Sequence, residues 1–307
     1  MDTDVREPTG EQVDLRAHGY TATVTQLGAT LRLLAYEDRP LVRGFAADQP
    51  RPVYSGALLA PWPNRIGDGR YHYDGAEHLL PINEQERATA LHGLVAGMRW
   101  DIASSSPDAV ALRHTLRPGP GYPFQLDLDV AYRLTAYGLE ARLTARNAGN
   151  RVAPYGCGIH PYLVAGEGQV DDWTLQLPAA RYLDVDPERL LPIGERTVDG
   201  TPFDFREPRP IGDVDIDNAF GGIGFDSSGH AAAVLVDRQG SGVRITWNES
   251  CPWVQVHTAD RPEPELHRTG LAVEPMTCPP DAFRTGTDVV HLRPGQTHTV
   301  TWRLTAI

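Results

Sequence analysis

Residues 125–146, QLDLDVAYRLTAYGLEARLTAR, decide the fold. Leu126, Leu128, Val130 and Tyr132 alternate with Gln125, Asp127, Asp129 and Ala131. After Tyr137-Gly138, Leu139, Ala141, Leu143 and Ala145 alternate with Glu140, Arg142, Thr144 and Arg146. Successive strand side chains point to opposite faces, so a period of two means one buried face and one solvated face. The two halves predict an antiparallel hairpin. A second hairpin is expected from 70–73 and 77–80, joined by Asp74-Gly75, a pair suited to the positive φ values of a tight turn.

Working outward, further strands are expected at 20–25, 30–36, 109–116, 173–177, 232–237, 242–247, 253–258, 271–274 and 297–304. No amphipathic pattern supports a long helix. The 30 Gly and 26 Pro are spread along the chain, as many short strands and turns require. The Pro-rich stretch 202–210 reads as an ordered loop, and no linker divides the chain. The expectation is all-β: one large antiparallel β-sandwich domain over residues 1–307.

Composition narrows the partners. With 28 basic and 40 acidic residues the formal charge is −12, and no basic block occurs. Nucleic acid and anionic membranes are therefore poor partners. The N-terminal MDTDVREPTGEQ has no signal-peptide profile, and no apolar run approaches the ~20 residues of a membrane span. A soluble, cytoplasmic protein is expected, as a monomer or a homodimer. Cys157, Cys251 and Cys278 are odd in number and lack CxxC spacing, which argues against disulfides and a thiolate zinc site. A small, partly buried filler is the favoured role; a reactive thiol at Cys157 or Cys278, which lie within polar blocks of the chain, is the alternative.

Chemistry resides in short polar blocks punctuated by Gly or Pro: PWPNRIG (61–67), ALHG (90–93), GCGIHPYL (156–163), DIDNAF (215–220) and AVEPMTCPPDAF (272–283). They hold Asn64, Arg65, His92, His160, Asp217 and Glu274. Apart from Asn64-Arg65 they are remote in sequence, so only a β framework joining distant strand ends assembles them. Five of the eleven histidines (His72, His78, His114, His257 and His298) fall on alternating strands, where a polar position needs no function. His257 shares a face with Gln255 and is a weaker candidate for the same cleft. His92 and His160 instead precede Gly93 and Pro161, at strand ends that present chemistry from a rigid scaffold. Glu274 closes an apolar strand and is either exposed at a turn or held for use; burial near His would lift its carboxyl towards the neutral range of a general base. Trp62 and Trp253 offer apolar faces to a sugar ring or simply pack. HExxH, Walker A and GxSxG patterns are absent. His92, His160 and Glu274 would suit a facial metal triad only by chance of folding, since no local ligand spacing supports one; neither metal nor cofactor is expected.

In family order, these blocks resemble the aldose 1-epimerase (galactose mutarotase-like) family from about Gly56 to Phe283. The likeness implies the galactose mutarotase-like supersandwich with a cleft across one sheet. It implies Glu274 as general base and His160 as general acid, with His92 assisting at the ring oxygen. Arg65 and Asp217 would hold substrate hydroxyls, and Asn64 would shape its turn. Leu94 stands where a second Gly is common, HPYL lacks the usual following Asn, and PPDAF ends in Phe where Asn is frequent; these departures bear on substrate identity.

The implied activity is interconversion of the α and β anomers of an aldose, without cofactor or metal. The runner-up is a hexose 6-phosphate 1-epimerase, which needs extra rim cations; Arg87 and Arg99 flank His92. A non-catalytic carbohydrate-binding domain is the alternative of another class, although binding alone does not demand an acid and a base.

Overall fold

The computed structural model describes residues 8–307; residues 1–7, part of the acidic N-terminal stretch, lie outside them. Its architecture is nearly all-β and antiparallel, with one short α-helix, Ala282–Thr285. No helix among the described residues is long and apolar enough to cross a membrane.

The hairpin at 125–146 forms as its alternation requires. Leu126–Thr135 pairs with Gly138–Asn147, Tyr132 facing Ala141 and Val130 facing Leu143. Leu126, Leu128, Val130, Tyr132, Leu139, Ala141, Leu143 and Ala145 are all buried. The Tyr132 hydroxyl donates to the Ala29 carbonyl at 2.7 Å, which satisfies a polar atom deep in the core. These strands lie in a nine-stranded sheet, beside Thr297–Ala306 on one side and Ala109–Leu116 on the other. The small hairpin pairs Arg70–Tyr73 with Ala76–Leu79, one residue earlier than expected, and both Asp74 and Gly75 take positive φ.

An eight-stranded sheet carries the functional face. Its central order is Asp217–Ile223, Trp253–His257, Leu271–Met276, Gly158–His160 and Ala57–Leu59. Period-two alternation sorts its side chains. Val254, Val256, Leu271 and Val273 join the main core together with Leu128, Trp302 and Ile245 of the nine-stranded sheet. Gln255, His257 and Glu274 therefore turn to the opposite face. Glu274 does not end its strand, as the flanking Pro suggested; Leu271–Met276 continues through Pro275. Pro275 lies opposite Val254 in the ladder.

Candidate active site

Four adjacent strands set a polar row across the second face of this sheet. Gln255 lies directly opposite Glu274 in the ladder. Gly158 pairs with Met276 and Tyr162 with Ala272, which places His160 opposite Glu274 on the other side. Asp217 starts the next strand, opposite His257, and its Oδ1 accepts from Gln255 Nε2 at 2.7 Å. Cross-strand neighbours on one face are close by construction. Sheet register thus joins residues that are up to 114 positions apart, from His160 to Glu274.

All six residues expected from the sequence (Asn64, Arg65, His92, His160, Asp217 and Glu274) line one cavity of about 470 Å³. That volume falls within the roughly 300–1,000 Å³ of small-molecule sites. Glu274 and His160 are buried, and His160 Nε2 lies 3.2 Å from Glu274 Oε1. The two side chains are in direct contact, with no room for a sugar ring between them. The two oxygens exchanged in anomer interconversion are bonded to the same carbon, so their proton carriers belong side by side.

Burial disfavours charge on both members of this pair. It pushes the Glu274 carboxyl well up, helped by the negative Asp217 and opposed by Arg65. It pushes His160 down to about 3, with His257 adding in the same direction. In the form that burial favours, the two groups share a single proton, held by the carboxyl beside a neutral imidazole. The pair contains one donor and one acceptor. Glu274 Oε2, Gln255 Oε1 and His257 Nε2 are buried without hydrogen-bond partners, an arrangement that polar groups of a ligand would relieve.

A second unit places Arg65 and His92. Arg65–Gly67 pairs with Thr89–Leu91, and His92 follows directly. Asn64 and His92 both take left-handed backbone conformations, with φ of 54° and 61°. The His92 N–H donates to the Asn64 carbonyl at 2.9 Å, and the Asn64 N–H donates to His92 Nδ1 at 3.2 Å. The Asn64 side chain caps its own turn by accepting from the Arg65 N–H at 2.8 Å. Because Nδ1 accepts, the proton of neutral His92 sits on Nε2. Burial and the neighbouring His160 and Arg65 keep this imidazole neutral by pushing its pKa well down. Gly93 has a φ of +73°, and a Cβ there would meet the Ala60 carbonyl oxygen at 2.1 Å.

Arg65 is buried and gives two hydrogen bonds to Glu84, from Nε at 2.8 Å and from Nη2 at 3.0 Å. Nη2 lies 3.9 Å from Asp217 Oδ2. Burial opposes both charges, but this pairing holds Glu84 below its ordinary value and Arg65 above. Asp217 is likewise held low against burial, by His257 and Arg65.

Other expectations resolve differently. Arg99 bonds to Gln26, away from the cavity, whereas Arg87 does line it. Neither tryptophan lines this cavity: Trp62 donates to the Ala90 carbonyl at 3.2 Å and Trp253 to Asp288 at 2.7 Å. All three cysteines are buried and unpaired, and burial pushes the Cys157 thiol up to about 12. Tyr54, Glu84, Asp215, Asp260 and Arg261 also line the cavity, and sequence reasoning missed them. Tyr54 packs edge-on against His92 at 4.6 Å between ring centroids.

His92, His160 and Glu274 bring ligand-type atoms within 4.8 Å of one another. The set fits a metal poorly. The backbone contact at His92 Nδ1 leaves only Nε2 free, and in this tautomer Nε2 carries the proton and offers no lone pair.

Comparison with known proteins agrees with the fold. The family described as Aldose 1-epimerase matches residues 11–305. YihR of Escherichia coli K12, described as an uncharacterized protein, is 36% identical over 94% of this chain and 91% of its own length. Galactose mutarotase of Rattus norvegicus is 32% identical over 66% of this chain and 62% of its own length. Among solved structures, galactose 1-epimerase from Lactobacillus acidophilus NCFM superposes with a TM-score of 0.79, 22% identity and coverage of 96% and 94%. An aldose epimerase homologue from C. elegans superposes with a TM-score of 0.85 and 21% identity, covering 97% and 98%. With a family match that runs over nearly its whole length and encloses every residue of the polar row, the chain belongs to the aldose 1-epimerase family.

Proposed function

We propose that this protein is an aldose 1-epimerase that interconverts the α and β anomers of a free sugar by acid–base ring opening and closure. The observation that carries the reading is the buried His160–Glu274 contact of 3.2 Å on the floor of a polar cavity. A sugar seated over the pair presents its C1 hydroxyl and its ring oxygen to two adjacent proton carriers.

In the forward direction Glu274 accepts the C1 hydroxyl proton as the C1–O5 bond breaks, and His160 donates a proton to the departing ring oxygen. This assignment needs the shared proton on His160 when the sugar is bound, and the direct contact supplies a path for it to cross. The open-chain aldehyde turns about C1–C2. Reclosure reverses both transfers and yields the other anomer, so the site returns to its starting proton count. The Nε2–H of His92 donates to the ring oxygen region as negative charge develops. Arg65 and Asp217 hold hydroxyls as donor and acceptor, and Asn64 fixes the turn that carries Arg65. Each positioned acid or base supplies about 10²–10⁴-fold.

The test is anomer-exchange NMR over a panel of aldoses and their 6-phosphates. Exchange well above the spontaneous rate for at least one sugar, lost in His160→Ala, is expected. Sugar binding with exchange at the spontaneous rate across the panel would instead support a binding protein.

A second reading, an epimerase for a sugar bearing an anionic substituent, is favoured by the unneutralised cation Arg261. Among the described residues it forms no ion pair within 4.0 Å, and its Nε is buried without a partner while lining the cavity. Arg87, on the same cavity, reaches acidic neighbours only at 3.7 and 3.9 Å. A preference for 6-phosphates over the parent sugars that disappears in Arg261→Ala would select this reading.

A further inference from the structure

We propose that Glu84 is a positioning residue that holds Arg65 in its sugar-binding pose and keeps it off Asp217. What the held guanidinium does to substrate rests on the epimerase reading; the clamp itself does not.

Three observations converge. Both Glu84 oxygens bond Arg65, and the Thr89 hydroxyl donates to Oε2 at 2.6 Å, so the carboxylate is oriented before Arg65 meets it. The loop bearing Glu84 is tied to the strand leading to His92. The Glu84 N–H donates to the Thr89 carbonyl at 3.2 Å, and Asn83 Oδ1 accepts from the Leu91 N–H at 2.6 Å. Thr89–Leu91 in turn pairs with Arg65–Gly67, so Glu84, Arg65 and His92 are tied into one hydrogen-bonded unit.

The third observation concerns the alternative. Asp217 Oδ2 lies 3.9 Å from Arg65 Nη2, beyond hydrogen-bond length. Without the Glu84 carboxylate, Asp217 is the nearest acidic partner left to a buried guanidinium, and an unpaired buried charge is costly. Arg65 would close onto Asp217, and two groups needed for sugar hydroxyls would then occupy each other. The clamp takes Nε and Nη2 and leaves Nη1 without a hydrogen bond among the described residues. Planar bidentate pairing is the geometry that fixes a guanidinium in one orientation.

The experiment compares Glu84→Gln, Arg65→Ala and the double variant on whichever aldose of the NMR panel the wild type exchanges fastest. It also records the Arg65 Nε–H resonance in the sugar-free protein. Misplacing a substrate-holding group is expected to lower kcat/KM by about 10–10²-fold, mainly through KM, with melting temperature tracked separately. The double variant should be no worse than Arg65→Ala, because Glu84 acts through Arg65. The Nε–H signal, downfield and slowly exchanging in the wild type, should shift and exchange rapidly in Glu84→Gln. Losses that multiply in the double variant, or an unchanged Nε–H signal, overturn the proposal. A wild type that exchanges no sugar of the panel while the Nε–H signal responds as expected removes the epimerase reading and leaves the clamp standing.

Discussion

Replacing Glu274 by glutamine should move activity and stability in opposite directions. The substitution keeps the side-chain volume and removes the titrating proton from the row. Loss of one positioned acid or base costs about 10²–10⁴-fold in rate, or about 2.7–5.4 kcal/mol of barrier. Stability follows from burial: Glu274 is 2% exposed, its Oε2 lacks a partner, and its carboxyl is pushed well above the ordinary 4.5. A group whose folded pKa is raised contributes fully below its unfolded value and loses that contribution as pH rises towards the folded value. The wild type therefore carries a penalty above about pH 4.5 that the glutamine variant lacks. A buried group without adequate partners costs about 1–3 kcal/mol. With an unfolding entropy of about 2.1 cal/mol/K per residue over the whole chain, that amounts to roughly 2–5 °C in melting temperature. The assay is calorimetric melting of both proteins at about pH 4 and about pH 8, alongside polarimetry of freshly dissolved pure anomers. The variant should match the wild type in acid, melt higher in mild alkali, and lose about 10²–10⁴-fold of the catalysed mutarotation rate. A variant that melts lower at alkaline pH, or keeps full activity, refutes the reasoning.

The wild-type pH profile should be flat through the ordinary imidazole range. Because His160 is pushed down to about 3, no activity should be lost as pH falls through 6.5. The alkaline limb should come from ionisation of the raised Glu274 carboxyl, leaving the pair without a proton to donate, and it should vanish in the residual activity of Glu274→Gln. An acid limb near 6.5 in kcat/KM would contradict the shared-proton pair. At Gly93, alanine brings a Cβ within 2.1 Å of the Ala60 carbonyl oxygen at a φ of +73°. A destabilisation of about 1–3 kcal/mol from backbone strain is expected. Activity should fall beyond what unfolding explains, because His92 is the preceding residue; chemical denaturation with parallel kinetics measures both.

The features legible in the sequence were those whose physics is local. The hairpin of 125–146 could be read because alternation of Leu, Val and Tyr with Asp and Arg encodes its two faces directly. Asp74-Gly75 could be read because its turn needs positive φ. Strands Ala179–Val185 and Pro192–Thr197 were missed: the second is exposed for nearly its whole length, so no apolar period marks it. The six candidate residues, which share one cavity, stood out because a polar or ionisable side chain beside apolar sequence and a Gly or Pro is costly without a purpose. Glu84 stayed hidden in NEQER, which looks like a solvated run until the fold buries one of its three charged residues against Arg65. Arg261, in a loop, gave no signal at all. The direct contact of His160 with Glu274 left no mark in the sequence, because the register of distant strands alone sets it.

The polar row is held by strand register, whereas Glu84 and Arg261 arrive from connecting loops and Arg87 from the short 3-10 helix Gln85–Arg87. On the proposed epimerase reading, reaction and selectivity are encoded in separable parts of the chain. On that reading, loop changes would retarget the scaffold to sugars with new substituents while the His160–Glu274 pair stays fixed, because connecting segments tolerate variation that ladders do not. A one-residue slip in Leu271–Met276, by contrast, would send Glu274 into the apolar core and silence every substrate at once.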